Sequence, residues 1–194
     1  VMTLNLAQPE AVMSLNHLSG LDGIEDTGTA LRIGAMARHH AISRHPLVKQ
    51  HAPLLALAAG GIGDVQVRHR GTLGGSLAHA EPAADYLCAT ATLGARYLLQ
   101  KAGGERWLDA QAFFVDVMTT ALEPDELLVA VEIPKQAAGT GVAHKSLRRV
   151  EGAFPIVLAS AAVAPGFREA KVGLGGVGPR PVVIDATDVM KGGL

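Results

Sequence analysis

Residues 66–85 read Gln66-Val67-Arg68-His69-Arg70-Gly71-Thr72-Leu73-Gly74-Gly75-Ser76-Leu77-Ala78-His79-Ala80-Glu81-Pro82-Ala83-Ala84-Asp85. The adjacent Gly74 and Gly75 permit a tight turn whose backbone N–H groups converge, and Thr72 and Ser76 flank it with hydroxyl donors. Amides that point inward with no side chain in the way make a concavity suited to an anionic phosphate. Asp85 falls at the start of a helix expected around Pro82–Leu93, where its carboxylate can accept hydrogen bonds from a sugar or ribityl hydroxyl. Glycine pairs are also common in plain turns, so a structural turn closed by a helix is the competing reading of the same residues.

Working outward, Leu31–Met36 has strand composition and comes after the polar turn Glu25–Thr29. Val12–Leu18 is a short apolar stretch ahead of the turn at 20–23. His39–Gly61 reads as helical, with an apolar face of Ile42, Leu47, Leu54, Leu55, Leu57 and Ala58, and Pro46 and Pro53 divide it. Val65–Arg70 leads into the glycine-rich turn. Downstream, Ala95–Leu99, Arg106–Leu108, Leu127–Ile133, Gly141–Arg149, Ile156–Val163 and Glu169–Leu174 have strand length and composition. Asp109–Met118 is expected to be a helix with Asp109 as its cap. Strands and helices do not alternate regularly, so the fold class is α+β rather than a doubly wound sheet. The Ala- and Gly-rich loop at 135–141 is the best domain boundary.

The charge balance, 17 basic against 18 acidic residues for a net −1, lacks the basic stripe of a nucleic-acid binder. The longest apolar run, Pro155–Pro165, is too short to span a bilayer, and Val1–Leu6 lacks the features of a signal peptide. A single cysteine, Cys88, excludes an internal disulfide and fits a reducing compartment, so a cytoplasmic location is expected. Gly173–Gly178 satisfies the G-x-G-x-x-G pattern, but Pro179-Arg180-Pro181 comes next, where a dinucleotide loop must open a helix. Among the eight histidines the densest group is His39, His40, His45 and His51, and no pair in it has the i, i+4 spacing of a helical metal site. Ser76 lies outside any nucleophile elbow. The sequence therefore offers no catalytic nucleophile and no metal ligand set.

The run QVRHRGTLGGSLAHAEPAAD resembles the second flavin-binding motif of the FAD-binding (medium) subunits of molybdenum hydroxylases, the carbon monoxide dehydrogenase and xanthine dehydrogenase family. LRIGAMARHHAI, TTALEPDELLVAVEIP, KSLRRVEGAFPIV and VGLGGVGPRPVV resemble other stretches of the same family in the same order. The resemblance implies an α+β FAD-binding domain of the vanillyl-alcohol-oxidase-like (PCMH) type over residues 1–136. Residues 138–194 would be part of the family's C-terminal α+β domain. It implies pyrophosphate or ribityl contacts from Thr72, Gly74, Gly75 and Ser76, with Asp85 on a flavin hydroxyl. Ile62 and Leu128 match positions that pack near the cofactor. Lys145 matches a lysine near the isoalloxazine ring, where its charge would stabilise the anionic reduced flavin. Phe154 matches a position that covers the ring face, although an ordinary core phenylalanine reads the same. Glu81, Ala143 and Ala153 depart from the residues usual in the family.

The same resemblance implies FAD as cofactor and an electron-transfer role within a hetero-oligomer. Molybdenum–pterin would sit on a large subunit and 2Fe–2S clusters on a small one. A 2Fe–2S cluster needs four ligands, usually cysteines, and this chain has one. Val1–Glu10 resembles the stretch directly after the family's first phosphate-binding loop, and Gly192-Gly193-Leu194 falls short of the family's last helices. Loss of two charge-assisted hydrogen bonds from that first loop would weaken FAD binding on the order of a hundredfold or more, so the 194-residue chain is expected to bind FAD poorly or not at all. A scaffold subunit without FAD is the alternative expectation.

Overall fold

The computed structural model describes residues 9–192 of the chain. The expectation placed on Val1–Gln8 therefore lies outside the described residues.

The first sheet forms where alternation buries one face. β1 (Ile24–Asp26) and β2 (Ala30–Gly34) form a hairpin, and β2 pairs with β7 (Leu127–Pro134) in the centre of the sheet. β3 (Arg96–Lys101) and β4 (Gly104–Asp109) complete the order β1-β2-β7-β3-β4, antiparallel throughout. Leu31, Ile33, Tyr97, Leu99, Val131 and Ile133 sit in the main core. On the other face, the Arg32 and Arg96 guanidinium groups lie 5.9 and 5.2 Å from the Trp107 ring centre. At the end of the sheet, Arg106 bonds both carboxylate oxygens of Glu126 at 2.7 Å, which holds that carboxyl down at about 2.

The helical layer obeys the proline punctuation. α1 (His39–Arg44), α2 (Pro46–His51) and α3 (Pro53–Gly61) each begin a new axis, with Pro46 and Pro53 in the first turn where no donor is lost. Ile42, Leu54, Leu55 and Ala58 are buried as the apolar pattern requires, but Leu57 is exposed. Val65–Arg70 forms α4, capped by Asp64 accepting from the Val67 N–H at 2.8 Å. α5 (Leu73–His79) comes directly after it. α6 (Asp85–Thr92) is buried along its whole length. Val12–Leu18 forms neither helix nor strand, and Val12 and Met13 are exposed.

The helix expected over Asp109–Met118 is corrected. Only Ala110–Phe113 is helical (α7), and the chain then enters β5 (Phe114–Asp116), which pairs with β6 (Thr119–Thr120). Phe113 and Phe114 both turn inward onto Tyr97, and burying two consecutive aromatics at once ends the helix. Asp109 makes no capping hydrogen bond; it faces Arg96 across the sheet at 3.7 Å.

The second sheet contains β8 (Gly141–Leu147), β9 (Val157–Val163), β10 (Ala170–Gly175) and β11 (Val182–Asp185), in the order β11-β10-β9-β8 and antiparallel. A last helix, α8 (Thr187–Gly192), closes the described chain. This sheet lies on α6 so closely that a Cβ on Gly173 would fall 2.0 Å from Thr92 Oγ1. Gly173 and Gly175, the first two glycines of the G-x-G-x-x-G run, thus serve sheet-to-helix contact, while Gly178 has open space around it. Among the described residues no helix is long and apolar enough to cross a membrane.

Candidate functional site

The Thr72–Ser76 segment is the first turn of α5, with Thr72 as N-cap, rather than the tight turn expected from two glycines. Its amides do not form an open nest. The Leu73 N–H bonds the Ala37 carbonyl at 3.0 Å, Gly74 bonds Ala35 at 2.7 Å, and Ser76 bonds Thr72 at 3.1 Å. Gly75 N–H donates to Thr72 Oγ1, also at 3.1 Å. The physical cause is the loop at Ala35–Ala37, which leaves the first sheet with carbonyls that need donors, and α5 supplies them. Gly74 is required by that approach: a Cβ there would lie 2.5 Å from the Ala35 Cβ.

A cavity of about 460 Å³ opens beside this turn. Met36, Ile62, Val67 and Phe154 give it apolar walls, while Thr72, Gly75, Ser76 and Asp85 line its polar part. Arg38, Arg70 and His79 bring positive charge or donors to it, and among the described residues Asp85 is the only acid on its lining. Arg38 is engaged by the Arg70 carbonyl and by Asn16 Oδ1. The Arg70 and His79 side chains form no hydrogen bond or ion pair among the described residues and remain free to meet an anion. Gly74 packs away from the cavity. Leu128 lies in the core opposite Leu99, and Lys145 is exposed on the face of β8 opposite His144; neither lines the cavity. Phe154 is no core residue: it is 61% exposed at the rim.

Asp85 is 4% exposed, and one of its oxygens, Oδ1, accepts from Arg148 Nη2 at 2.7 Å and from His144 Nε2 at 3.0 Å. His144 Nδ1 meets Ser160 Oγ at 2.9 Å. The Ser160–His144–Asp85 chain has the elements of a nucleophile relay, but Ser160 is 1% exposed, so no substrate reaches it. The network serves to satisfy a buried carboxylate.

His39 also faces the cavity. It is 4% exposed, its ring meets Tyr86 edge-on at 5.1 Å, and burial lowers its pKa to about 4 against the opposing pull of Asp85. It is therefore neutral at neutral pH. A histidine whose folded pKa is depressed stabilises the fold fully above the unfolded value of 6.5, and this stability is lost as pH falls from 6.5 towards 4. The expected loss is on the order of 3 kcal/mol. His39→Asn should flatten that part of the stability profile, read from urea unfolding at pH 7 and pH 4.5. An unchanged slope would assign the acid sensitivity elsewhere.

Three contributors are not legible in the sequence pattern. Arg148 and His144 lie about 60 positions beyond Asp85 and reach it only through the fold. His39 groups by spacing with the half-buried His40, His45 and His51, and the signal that sets it apart is its place just ahead of the apolar face of α1. Of the other clustered histidines, His40 stacks on His69 of α4 at 4.0 Å. Among the described residues no three His, Cys, Asp or Glu side chains gather as a metal site.

An antiparallel sheet and a helical layer thus flank an apolar cavity beside the Thr72–Asp85 run. The model described as "FAD binding domain in molybdopterin dehydrogenase" matches residues 1–136, and the chain belongs to that family. Within it, the chain is 38% identical over 152 residues to the carbon monoxide dehydrogenase medium chain of Hydrogenophaga pseudoflava, covering 78% of this chain and 53% of the relative. It is 34% identical to the nicotine 6-hydroxylase medium subunit of Paenarthrobacter nicotinovorans, covering 99% and 69%. The solved carbon monoxide dehydrogenase from Hydrogenophaga pseudoflava superposes with a TM-score of 0.90 at 34% identity, over 94% of this chain and 64% of that one. Quinoline 2-oxidoreductase from Pseudomonas putida 86 gives 0.87 at 33% identity, over 93% and 64%. The chain thus spans about half the length of the Hydrogenophaga medium chain it matches.

Proposed function

We propose that this chain is the FAD-binding electron-transfer subunit of a molybdenum-containing hydroxylase or dehydrogenase. The observation that carries the reading is the apolar cavity walled by Ile62 and Phe154, with the Asp85 carboxylate and the Thr72 and Ser76 hydroxyls on its lining. Bound FAD would supply redox chemistry in one-electron and two-electron steps. The chain's own residues bind and orient it. Asp85 accepts from a flavin hydroxyl, and Thr72 and Ser76 donate from their side chains because the backbone amides are engaged. Arg70 and His79 meet the pyrophosphate. Ile62, Val67 and Phe154 keep water from the ring. Leu128 and Lys145 stand outside this cavity, so contacts from them require part of the flavin to extend beyond it.

The medium-chain names of the relatives support a hetero-oligomer. In it a large subunit would hold the molybdenum–pterin and a small subunit the 2Fe–2S clusters, and the single Cys88 agrees with clusters held elsewhere. We assign residues 1–136 and 138–194 to two domains, in keeping with the change of sheet across 135–140. The lone reduced cysteine favours a cytoplasmic location.

A scaffold subunit without FAD is the second reading, and the engaged amides at Leu73–Ser76 favour it. Titration with FAD, monitored by quenching of flavin fluorescence, separates the two. Saturable one-to-one binding supports the flavin subunit. Absence of saturation at the highest soluble FAD concentration leaves the scaffold.

A further inference from the structure

Arg148 comes directly after β8 and has no role in the FAD assignment. Its guanidinium makes three hydrogen bonds in three directions. Nη2 donates to Asp85 Oδ1 at 2.7 Å, Nη1 to the Ala153 carbonyl at 2.8 Å, and Nε to Ser146 Oγ at 3.0 Å. Ala153 precedes Phe154, the aromatic at the cavity rim. One planar cation therefore ties the cavity's acid to the loop that carries its aromatic wall.

The bonds are unevenly shared by the carboxylate. Arg148 and His144 both donate to Oδ1 of Asp85, while Oδ2 accepts no hydrogen bond from the protein among the described residues. Asp85 nevertheless lines the cavity. Two donors on one oxygen fix the rotamer and leave the second oxygen as an acceptor for whatever enters. A buried carboxylate stays charged in such a place only with a cation against it, and Arg148 is that cation.

We infer that Arg148, on the segment beyond the family-matched residues 1–136, is the positioning residue of the cavity, holding Asp85 so that its free oxygen accepts a ribityl hydroxyl of the flavin. This rests on the FAD reading. A lysine keeps the charge but cannot brace three acceptors in one plane, so it separates positioning from neutralisation.

The test compares two flavins that differ in the hydroxylated side chain: riboflavin, which has it, and lumiflavin, which has a methyl group instead. Each is titrated against the 194-residue chain by fluorescence quenching, and the ratio of the two affinities cancels changes that affect the ring alone. The wild-type chain should favour riboflavin. Arg148→Lys should lower the ratio about tenfold, to that of Asp85→Asn, as expected for one charge-assisted hydrogen bond. Should Arg148→Lys unfold, the Asp85→Asn/Arg148→Met double variant removes both charges, and its ratio should equal that of Asp85→Asn alone. A ratio unchanged by Arg148→Lys, or lowered further in the double variant than in Asp85→Asn, overturns the inference and leaves the FAD reading standing. A wild-type chain that binds neither flavin overturns both.

Discussion

Arg148→Met is expected to lower the stability of the fold by about 3–5 kcal/mol, because it leaves a buried carboxylate without its cation. The Asp85 side chain is 4% exposed and that of Arg148 16%, so water cannot take the place of the guanidinium. His144 can still donate one hydrogen bond to Asp85, but it cannot supply the guanidinium's links to Ala153 and Ser146. Removing the carboxylate as well, in Asp85→Asn/Arg148→Met, should recover most of the loss, since the cost lies in the stranded charge and not in the missing contact. Urea unfolding of the three chains measures this. Equal losses in the single and double variants would mean that Arg148 stabilises by packing alone. For comparison, the Arg96–Asp109 pair has side chains 49% and 77% exposed, and breaking it should cost less than about 1 kcal/mol.

Gly74→Ala is expected to destabilise the chain by about 3 kcal/mol, the upper part of the range for overpacking. The new methyl group would fall 2.5 Å from the Ala35 Cβ and 2.9 Å from its carbonyl oxygen. Those atoms belong to the loop that receives the Gly74 amide, so neither side can withdraw without breaking that bond. Gly75→Ala meets only Thr72 Oγ1, at 2.8 Å, and a side-chain hydroxyl can rotate away. Its cost should be about 1 kcal/mol, the worth of a cap bond. Thermal melts of the two variants give the comparison. If Gly74 served instead to let a phosphate approach, Gly74→Ala would weaken FAD binding and leave the melt unchanged.

Elements whose start or stop is a local chemical event are legible in the residues. Pro46 and Pro53 divide the helical region where the pattern places the divisions, because proline lacks the donor a helix interior needs. β7 and β9 coincide with runs of apolar residues bounded by turn residues. α4 reads from sequence only as a lead-in, because Val65-Gln66-Val67 has strand composition, while its helical state rests on the Asp64 cap and on contacts with α1. Asp109–Met118 has helix composition and loses to the burial of Phe113 and Phe114 against Tyr97. β1 has no local signature, since three residues at a sheet edge take their state from a partner strand, whereas β11 carries one in the β-branched run Val182-Val183-Ile184.

The site divides in the same way. The run from Thr72 to Asp85 and its family are legible in the residues alone, because that chemistry is contiguous, and Asp85, Thr72, Gly75, Ser76, Ile62 and Phe154 all reach one cavity. Their surroundings there depend on packing that no local pattern encodes. That packing turned the Gly74–Gly75 pair from a phosphate nest into a helix start seated on Ala35, because the carbonyls at Ala35–Ala37 had to be satisfied first. It also placed Arg148 and His144 on Asp85 across about 60 positions of chain, a contact that no local pattern encodes. A buried charge must find its partner wherever the packing of α6 against the second sheet brings one, and sequence separation has no bearing on that distance.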